Sequence, residues 1–356
     1  MKRVAALLVA VLMVALAVLV RDRLDDSGDN ADDNNGDPSG TATLVCVSEL
    51  EAVCRELERD NDDLTVRIEE AAATESTLVS ASFDLNDPPF DAWLTLQPFP
   101  EMVAEQRARA LLPQALDDPT DSLARSPLII AIWNDRRDAL AGTCAGTINW
   151  RCIGDAGGRP WAELGGQAAW GTVKPSHSLP DRTAAGLFAL SQASASYLER
   201  TDFSRNDFDT NAGFRRWFEQ LERSIPSFPA PPRTPLDEML SKGPAVFDLA
   251  GSLEAAAGPS IVRSRDRDRL SILYPSPSTV ADVVVAPVAN TNRGGRVTRL
   301  LESNEAAELL AQSGWRVDDR PLAEGIDSSI ELAPESGLPR PGVLEALRAL
   351  WIETVR

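Results

Sequence analysis

The sequence predicts an α/β protein with mostly parallel sheets, and three observations predict it. From residue 41 onward, short apolar or β-branched runs alternate with helical stretches. One run, SPLIIAIW (126–133), is apolar without interruption by charge, as a strand covered on both faces must be. The length, 356 residues, allows one large core or, more readily, two smaller ones.

The chain opens with MKRVAALLVAVLMVALAVLV, in which Lys2 and Arg3 precede an unbroken apolar run from Val4 to Val20. Residues 1–20 therefore read as a signal peptide or an N-terminal membrane anchor. RDRLDD follows with no small-x-small cleavage site, which favours a retained span with the bulk of the chain outside the membrane. Residues 21–43 hold seven aspartates and no aromatic residue, the composition of a solvated, disordered linker.

TATLVCVSEL (41–50) predicts a strand entering a helix that continues through EAVCRELERDN. LTVRIEEA (64–71) alternates as a strand, ATEST (73–77) reads as a polar loop, and FDAWLTL (90–96) is a third strand. EMVAEQRARALL (101–112) is a helix, SPLIIAIW a buried strand and DRRDAL helical. CAGTINWRC is an excursion closed by cysteines, PWAEL (160–164) a short helix and QAAWGTVKP (167–175) a strand. A helix is expected from Thr183 to Arg200, and another over 214–225 with Phe214, Trp217, Phe218, Leu221 and Ile225 on one face. SFPAPPRTP is a connector, and PLDEMLSK a helix with Pro235 in its first turn. PAVFDLAGSLEAAAG gives strand, turn and helix, and RLSILYP (269–275) and ADVVVAPV (281–288) are strands. One helix spans VTRLLESNEAAELLAQSG, Trp315-Arg316 follow it, and GVLEALRALWIETV is the terminal helix.

With 54 acidic against 35 basic side chains, the formal charge of −19 argues against a nucleic-acid partner. No GxGxxG, P-loop, HExxH or GxSxG stretch is present, and RGGR (293–296) reads as a turn before a helix. The single histidine, His177, lies in a Pro- and Ser-rich stretch and reads as a loop residue, not a catalytic base. The sequence therefore predicts no enzyme and no cofactor. Most tryptophans are expected in cores, with Trp150 the least central.

Four cysteines, Cys46, Cys54, Cys144 and Cys152, form two pairs eight positions apart. In an exported chain an even count suggests two local disulfides, 46–54 and 144–152. Three pairings are formally open, and a metal site is the alternative, although neither spacing is that of a zinc finger and one histidine supplies few nitrogen ligands. Three polar loops lie where a strand hands over to a helix: 73–77, 175–183 and Phe247-Asp248. Such loops are where open α/β sheets bind ligands, and hydroxyls beside free helix N–H groups suit an anion. Ser76 and Thr183 serve equally as helix caps.

Taken in order, six stretches resemble the extracytoplasmic solute-binding proteins of ABC importers, type II, in the molybdate- and sulfate-binding branch. LVCVSELEAVCREL is a first strand feeding a helix after an export segment. ATEST stands at the family's serine-rich ligand loop, with FDAWLTL beyond it. SPLIIAIW is similar to the strand crossing to the second lobe. WGTVKPSHSLPDRTAAGLFAL is similar to a family loop with a small-residue helix start, and VTRLLESNEAAELLAQSGWR ends in Gly-aromatic-Arg.

The resemblance implies a two-lobed periplasmic-binding-protein-like fold with a ligand cleft between the lobes. Lobe 1 would comprise residues 44–127 and 285–356, and lobe 2 residues 128–284. It nominates Thr74, Ser76 and Thr77 from lobe 1 and Ser176, Ser178, Thr183 and Asp248 from lobe 2 as ligand-binding residues, and places His177 at the cleft edge. Glu75 and the ionisable groups of SHSLPDR depart from a neutral oxyanion site and leave cationic, sugar-like or peptide ligands open. The implied function is capture of a small molecule or ion for an ABC permease. The alternative is a membrane-tethered extracellular sensor or interaction protein with the same fold and no transport.

Overall fold

A computed structural model describes residues 40–355. The expected export segment (1–20) and all but the last few residues of the acidic linker lie outside the described residues. No helix among the described residues is long and apolar enough to cross a membrane.

The chain runs β1 (Ala42–Val47), α1 (Glu51–Asp60), β2 (Leu64–Glu69), α2 (Ala71–Val79), β3 (Ala92–Leu96) and α3 (Phe99–Arg109). The long β4 (Ala124–Trp133) leads into α4 (Asn134–Thr143), α5 (Trp150–Ala156), α6 (Ala184–Leu198), α7 (Arg205–Asp209), α8 (Ala212–Ser224) and α9 (Pro235–Lys242). Then come β5 (Leu249–Leu253), α10 (Glu254–Arg263), β6 (Leu270–Leu273) and β7 (Val280–Pro287). Three helices close the chain: α11 (Gly294–Leu301), α12 (Asn304–Gln312) and α13 (Pro341–Val355).

β1 lies between β2 and β3, parallel to both. β7 pairs antiparallel with β3, and the first half of β4 pairs antiparallel with β7, Arg125 opposite Asp282. At Pro127–Leu128 the same strand leaves that ladder. Its second half takes β5 on one side and β6 on the other, Ile130 standing opposite both Gly251 and Leu273. The sheets are therefore mixed, which corrects the expectation of mostly parallel pairing. β4 carries the chain out of the first sheet and β7 brings it back. Two such strands lying side by side must run in opposite directions.

The period of two along β4 explains its unbroken apolarity. Ile130 and Ile132 enter a core with Trp150, Trp161, Leu190 and Phe218. Ile129, Ala131 and Trp133 enter another with Phe247, Met239 and Ile261. The first sheet has its own core of Leu44, Val45, Trp93, Phe99 and Val285. α13 spans two of these, with Leu344 in the first-sheet core and Leu347, Leu350 and Trp351 in the second.

Four further expectations change. ATEST is helical, within α2, because it continues an alanine run with no glycine or proline to stop it. QAAWGTVKP forms no strand: a short 3-10 turn ends at Gly171 (φ 73°), and only an isolated bridge joins Thr172 to Pro160. The expected helix over 297–314 is two helices, because Ser303 accepts from the Ala306 N–H at 3.2 Å and starts α12 afresh. Trp150 is fully buried, its Nε1 donating to Gln192 at 2.9 Å. The two local disulfides are present, Cys46–Cys54 tying β1 to α1 and Cys144–Cys152 tying the end of α4 to α5.

Candidate ligand cleft

The carboxyl end of β1 puts Ser48 and Glu49 at the rim of a cavity of about 180 Å³. Its other walls come from distant parts of the chain: Ser178 and Thr183 ahead of α6, the Pro229–Thr234 stretch, Gly251–Leu253 in β5, and Trp315 beyond α12. Residues of both sheets thus face one space, at a strand end where α/β sheets leave room for ligands. A wider recess of about 500 Å³ shares Ser48, Glu49 and Trp315 and continues past Pro259 and Gln312.

Each wall is held by its own backbone logic. Cys46 and Cys54 bracket the Ser48–Glu49 turn, so the disulfide fixes the chain on both sides of it. Glu49 accepts the Ala185 N–H at 2.9 Å and the Ser48 hydroxyl at 2.9 Å. Thr183 caps α6, accepting from the Gly186 N–H at 3.1 Å while donating to the Leu179 carbonyl. Gly314 has φ +98°, and a Cβ there would lie 2.4 Å from the Ala255 carbonyl oxygen; this close approach seats Trp315 in the wall. The next residue, Arg316, bonds both carboxylate oxygens of buried Glu254 at 2.7 and 2.8 Å and the carbonyls of Asp327 and Ile330 at 2.8 Å. Tyr274 also donates to Glu254, and burial, then that hydrogen bond and the Glu254 charge, push its phenol well above the ordinary value.

Behind the cleft, the 175–183 loop is anchored by charge. His177 is buried, not a surface loop residue as expected, because both ring nitrogens face acceptors. Nδ1 lies 2.8 Å from the Ser178 carbonyl and Nε2 3.1 Å from Glu222, which also accepts from Trp351 Nε1 at 2.7 Å. Burial by itself lowers the His177 pKa, but the Glu222 charge and the hydrogen bonds of Glu222 and Ser178 outweigh it, so the value is raised. An imidazolium donating at both nitrogens fits these partners.

The nominated residues are placed differently from one another. Ser178 and Thr183 line the cavity. Ser176 is buried behind it, its hydroxyl donating to the Leu249 carbonyl at 2.8 Å. Asp248 is fully buried and surrounded by chain donors: Arg136 Nε at 2.8 Å, the Lys174 N–H at 2.9 Å and Trp161 Nε1 at 3.1 Å. Burial raises its carboxyl above the ordinary value against the pull of those donors. Thr74 is buried and donates to Glu69 at 2.9 Å. Ser76 and Thr77 are exposed on α2 and line a separate surface groove with Ser80 and Asp84. Glu75 is bound by Arg348 of α13 at 2.6 and 2.7 Å. The structure thus brings Ser178 and Thr183 together and leaves the other five outside the cavity. Sequence reasoning missed Ser48, Glu49, Trp315 and the proline stretch. The first two stand directly after the first strand, where the signal was the strand-to-helix handover VSEL. Among the described residues, no group of three or more His, Cys, Asp or Glu side chains is placed to hold a metal ion.

No family model matches the chain. No curated protein matches it by sequence either. Solved structures do match. The periplasmic binding protein AfuA from Actinobacillus pleuropneumoniae, with fructose-6-phosphate bound, superposes with a TM-score of 0.60 at 11% identity, covering 89% of this chain and 99% of that one. A periplasmic thiamin binding protein gives 0.55 at 11% identity over 89% and 96%. The sulfate-binding protein SubI from Mycobacterium tuberculosis H37Rv gives 0.50 at 15% identity over 79% and 88%. The fold is that of the periplasmic binding proteins. These binding proteins are named for unlike ligands, so the likeness carries the two-domain fold and no molybdate or sulfate branch. All three are named as binding proteins.

Proposed function

We propose that this chain is an extracytoplasmic solute-binding protein, which captures a small ligand in the cavity between its two sheets and presents it to an ABC permease. The observation that carries the reading is the cavity itself, lined by Ser48 and Glu49 just beyond β1 of the first sheet, Ser252 and Leu253 of β5 in the second, and Trp315. The lobes would divide near residues 127 and 280, where β4 leaves the first ladder and β7 re-enters it. Closing them around a solute would shift the population toward a compact state, with no bond made or broken. Two disulfides suit an oxidising, extracytoplasmic compartment. The apolar run Val4–Val20 would export the chain or hold it at the bacterial membrane.

The test is thermal unfolding and tryptophan fluorescence of the chain against oxyanions, amino acids, sugars, polyamines and metal ions. A saturable rise in Tm that is lost in Trp315→Ala supports capture in this cavity. A saturable rise unchanged by that substitution puts the ligand elsewhere, and no response from any solute refutes solute capture.

A further inference from the structure

The ligand class is written into the cavity by Glu49. Among the described residues no cationic side chain lies within ion-pair distance of its carboxylate; its two recorded partners are neutral, the Ala185 N–H and the Ser48 hydroxyl. A carboxylate met only by two neutral donors keeps lone pairs and a negative charge for a cation to meet. The same residue fills the place an anion would need. α6 begins at this rim, and its Ala185 and Gly186 N–H groups are already bonded, to Glu49 and to Thr183. An oxyanion approaching this helix start meets a carboxylate instead of free N–H groups.

Arg233, also on the wall, is no substitute. Its side chain is 72% exposed and lies 3.4 Å from Glu238. The rest of the surface is mostly apolar, with Leu179, Pro229, Pro231, Leu236, Leu253 and Trp315, broken by the hydroxyls of Ser178, Thr183, Thr234 and Ser252 and by Glu51, which has Arg55 at 3.7 Å as its own counter-charge.

We propose that Glu49 is the specificity-determining residue and that the cavity takes a small organic cation. The ammonium group sits on the unused lone pairs of Glu49, and the apolar body packs between Leu253, Trp315 and the prolines. The inference rests on the cavity being the ligand site, as proposed above.

Calorimetric titration of the full chain under oxidising conditions tests it, with phenethylammonium and tetramethylammonium as cations, 2-phenylethanol as the uncharged counterpart, and sulfate and molybdate as oxyanions. We expect saturable binding of a cation and none of the oxyanions. In Glu49→Gln, which keeps an oxygen for the Ala185 N–H, cation binding weakens about ten- to a hundred-fold, the loss of one charge-assisted bond. The affinity for 2-phenylethanol is unchanged, which also reports that the cavity is intact. Cation affinity unaltered in Glu49→Gln overturns the proposal. So does oxyanion or sugar binding without cation binding; if that binding is lost in Trp315→Ala, solute capture stands and only the ligand class falls. Absence of binding by every solute overturns both.

Discussion

Replacing Glu222 by glutamine removes the carboxylate whose charge raises the His177 pKa inside the protein. Both residues are about 1% exposed, and the ring has an acceptor at each nitrogen. Removing one member of a buried ion pair costs about 3–5 kcal/mol when the remaining charge has no escape. His177 does have one. Without Glu222, burial favours the neutral ring, which still donates from Nδ1 to Ser178 and can accept at Nε2 from the new amide. The loss should therefore fall to about 1–3 kcal/mol, the value of a charge-assisted hydrogen bond.

The pH dependence is the sharper readout. The His177 pKa is raised in the folded protein from a reference of 6.5. Above that reference the native state holds a proton that the unfolded chain has released. The pair's contribution is thus complete below the unfolded pKa and is lost as pH rises through the folded one. Within that window the wild type should lose up to about 1.4 kcal/mol per pH unit relative to Glu222→Gln. Urea unfolding of both proteins at pH 6, 7, 8 and 9 measures the difference. A gap that widens with pH, or none at any pH, would refute an imidazolium at position 177.

Three other substitutions separate scaffold from site. Gly314→Ala forces a side chain into a left-handed backbone and against the Ala255 carbonyl, so a loss of at least about 1–2 kcal/mol is expected by urea unfolding, with displacement of Trp315 seen as a changed emission maximum. The double variant Cys46→Ser, Cys54→Ser opens a short loop and should cost about 2–3 kcal/mol on the chain-entropy account; hydrogen exchange should quicken at Ser48 and Glu49, just beyond β1, before it does in β1 itself. Ser76→Ala with Thr77→Ala lies on an exposed helix face, so Tm and solute affinity should both stay at wild-type values; a lost ligand would return those hydroxyls to the site.

Much of the fold was legible because it is written locally. The unbroken apolar run at 126–133 announces a strand buried on both faces whatever its neighbours are. Phe214, Trp217, Phe218 and Leu221 recur at helical spacing because one side of α8 faces a core. Cysteines eight positions apart suggested two short loops once the chain was read as exported, and the structure selects those two pairings from the three that four cysteines allow. Strand direction was not legible. Nothing in the residues of β7 states that it returns to the sheet beside the strand that left it.

The candidate site shows the same division more sharply. By itself the sequence marked most of the strands and helices, suggested the local disulfides and offered Thr183 as a helix cap, since each depends on residues within a few positions, while ATEST, QAAWGTVKP and the break at Ser303 took the structure to place. Tertiary structure alone decided which polar groups face the cavity. Asp248 and Ser176 stand in polar loops at a strand end, yet packing turns them toward Arg136, Trp161 and the Leu249 carbonyl, because a buried polar group must find its partners inside the protein. His177 is withdrawn from solvent by residues 45 and 174 positions away in sequence, Glu222 directly and Trp351 through it. Glu49 and Trp315 meet at one rim because the chain leaves the first sheet through β4 and returns through β7, and a contact made by that long excursion has no local signature.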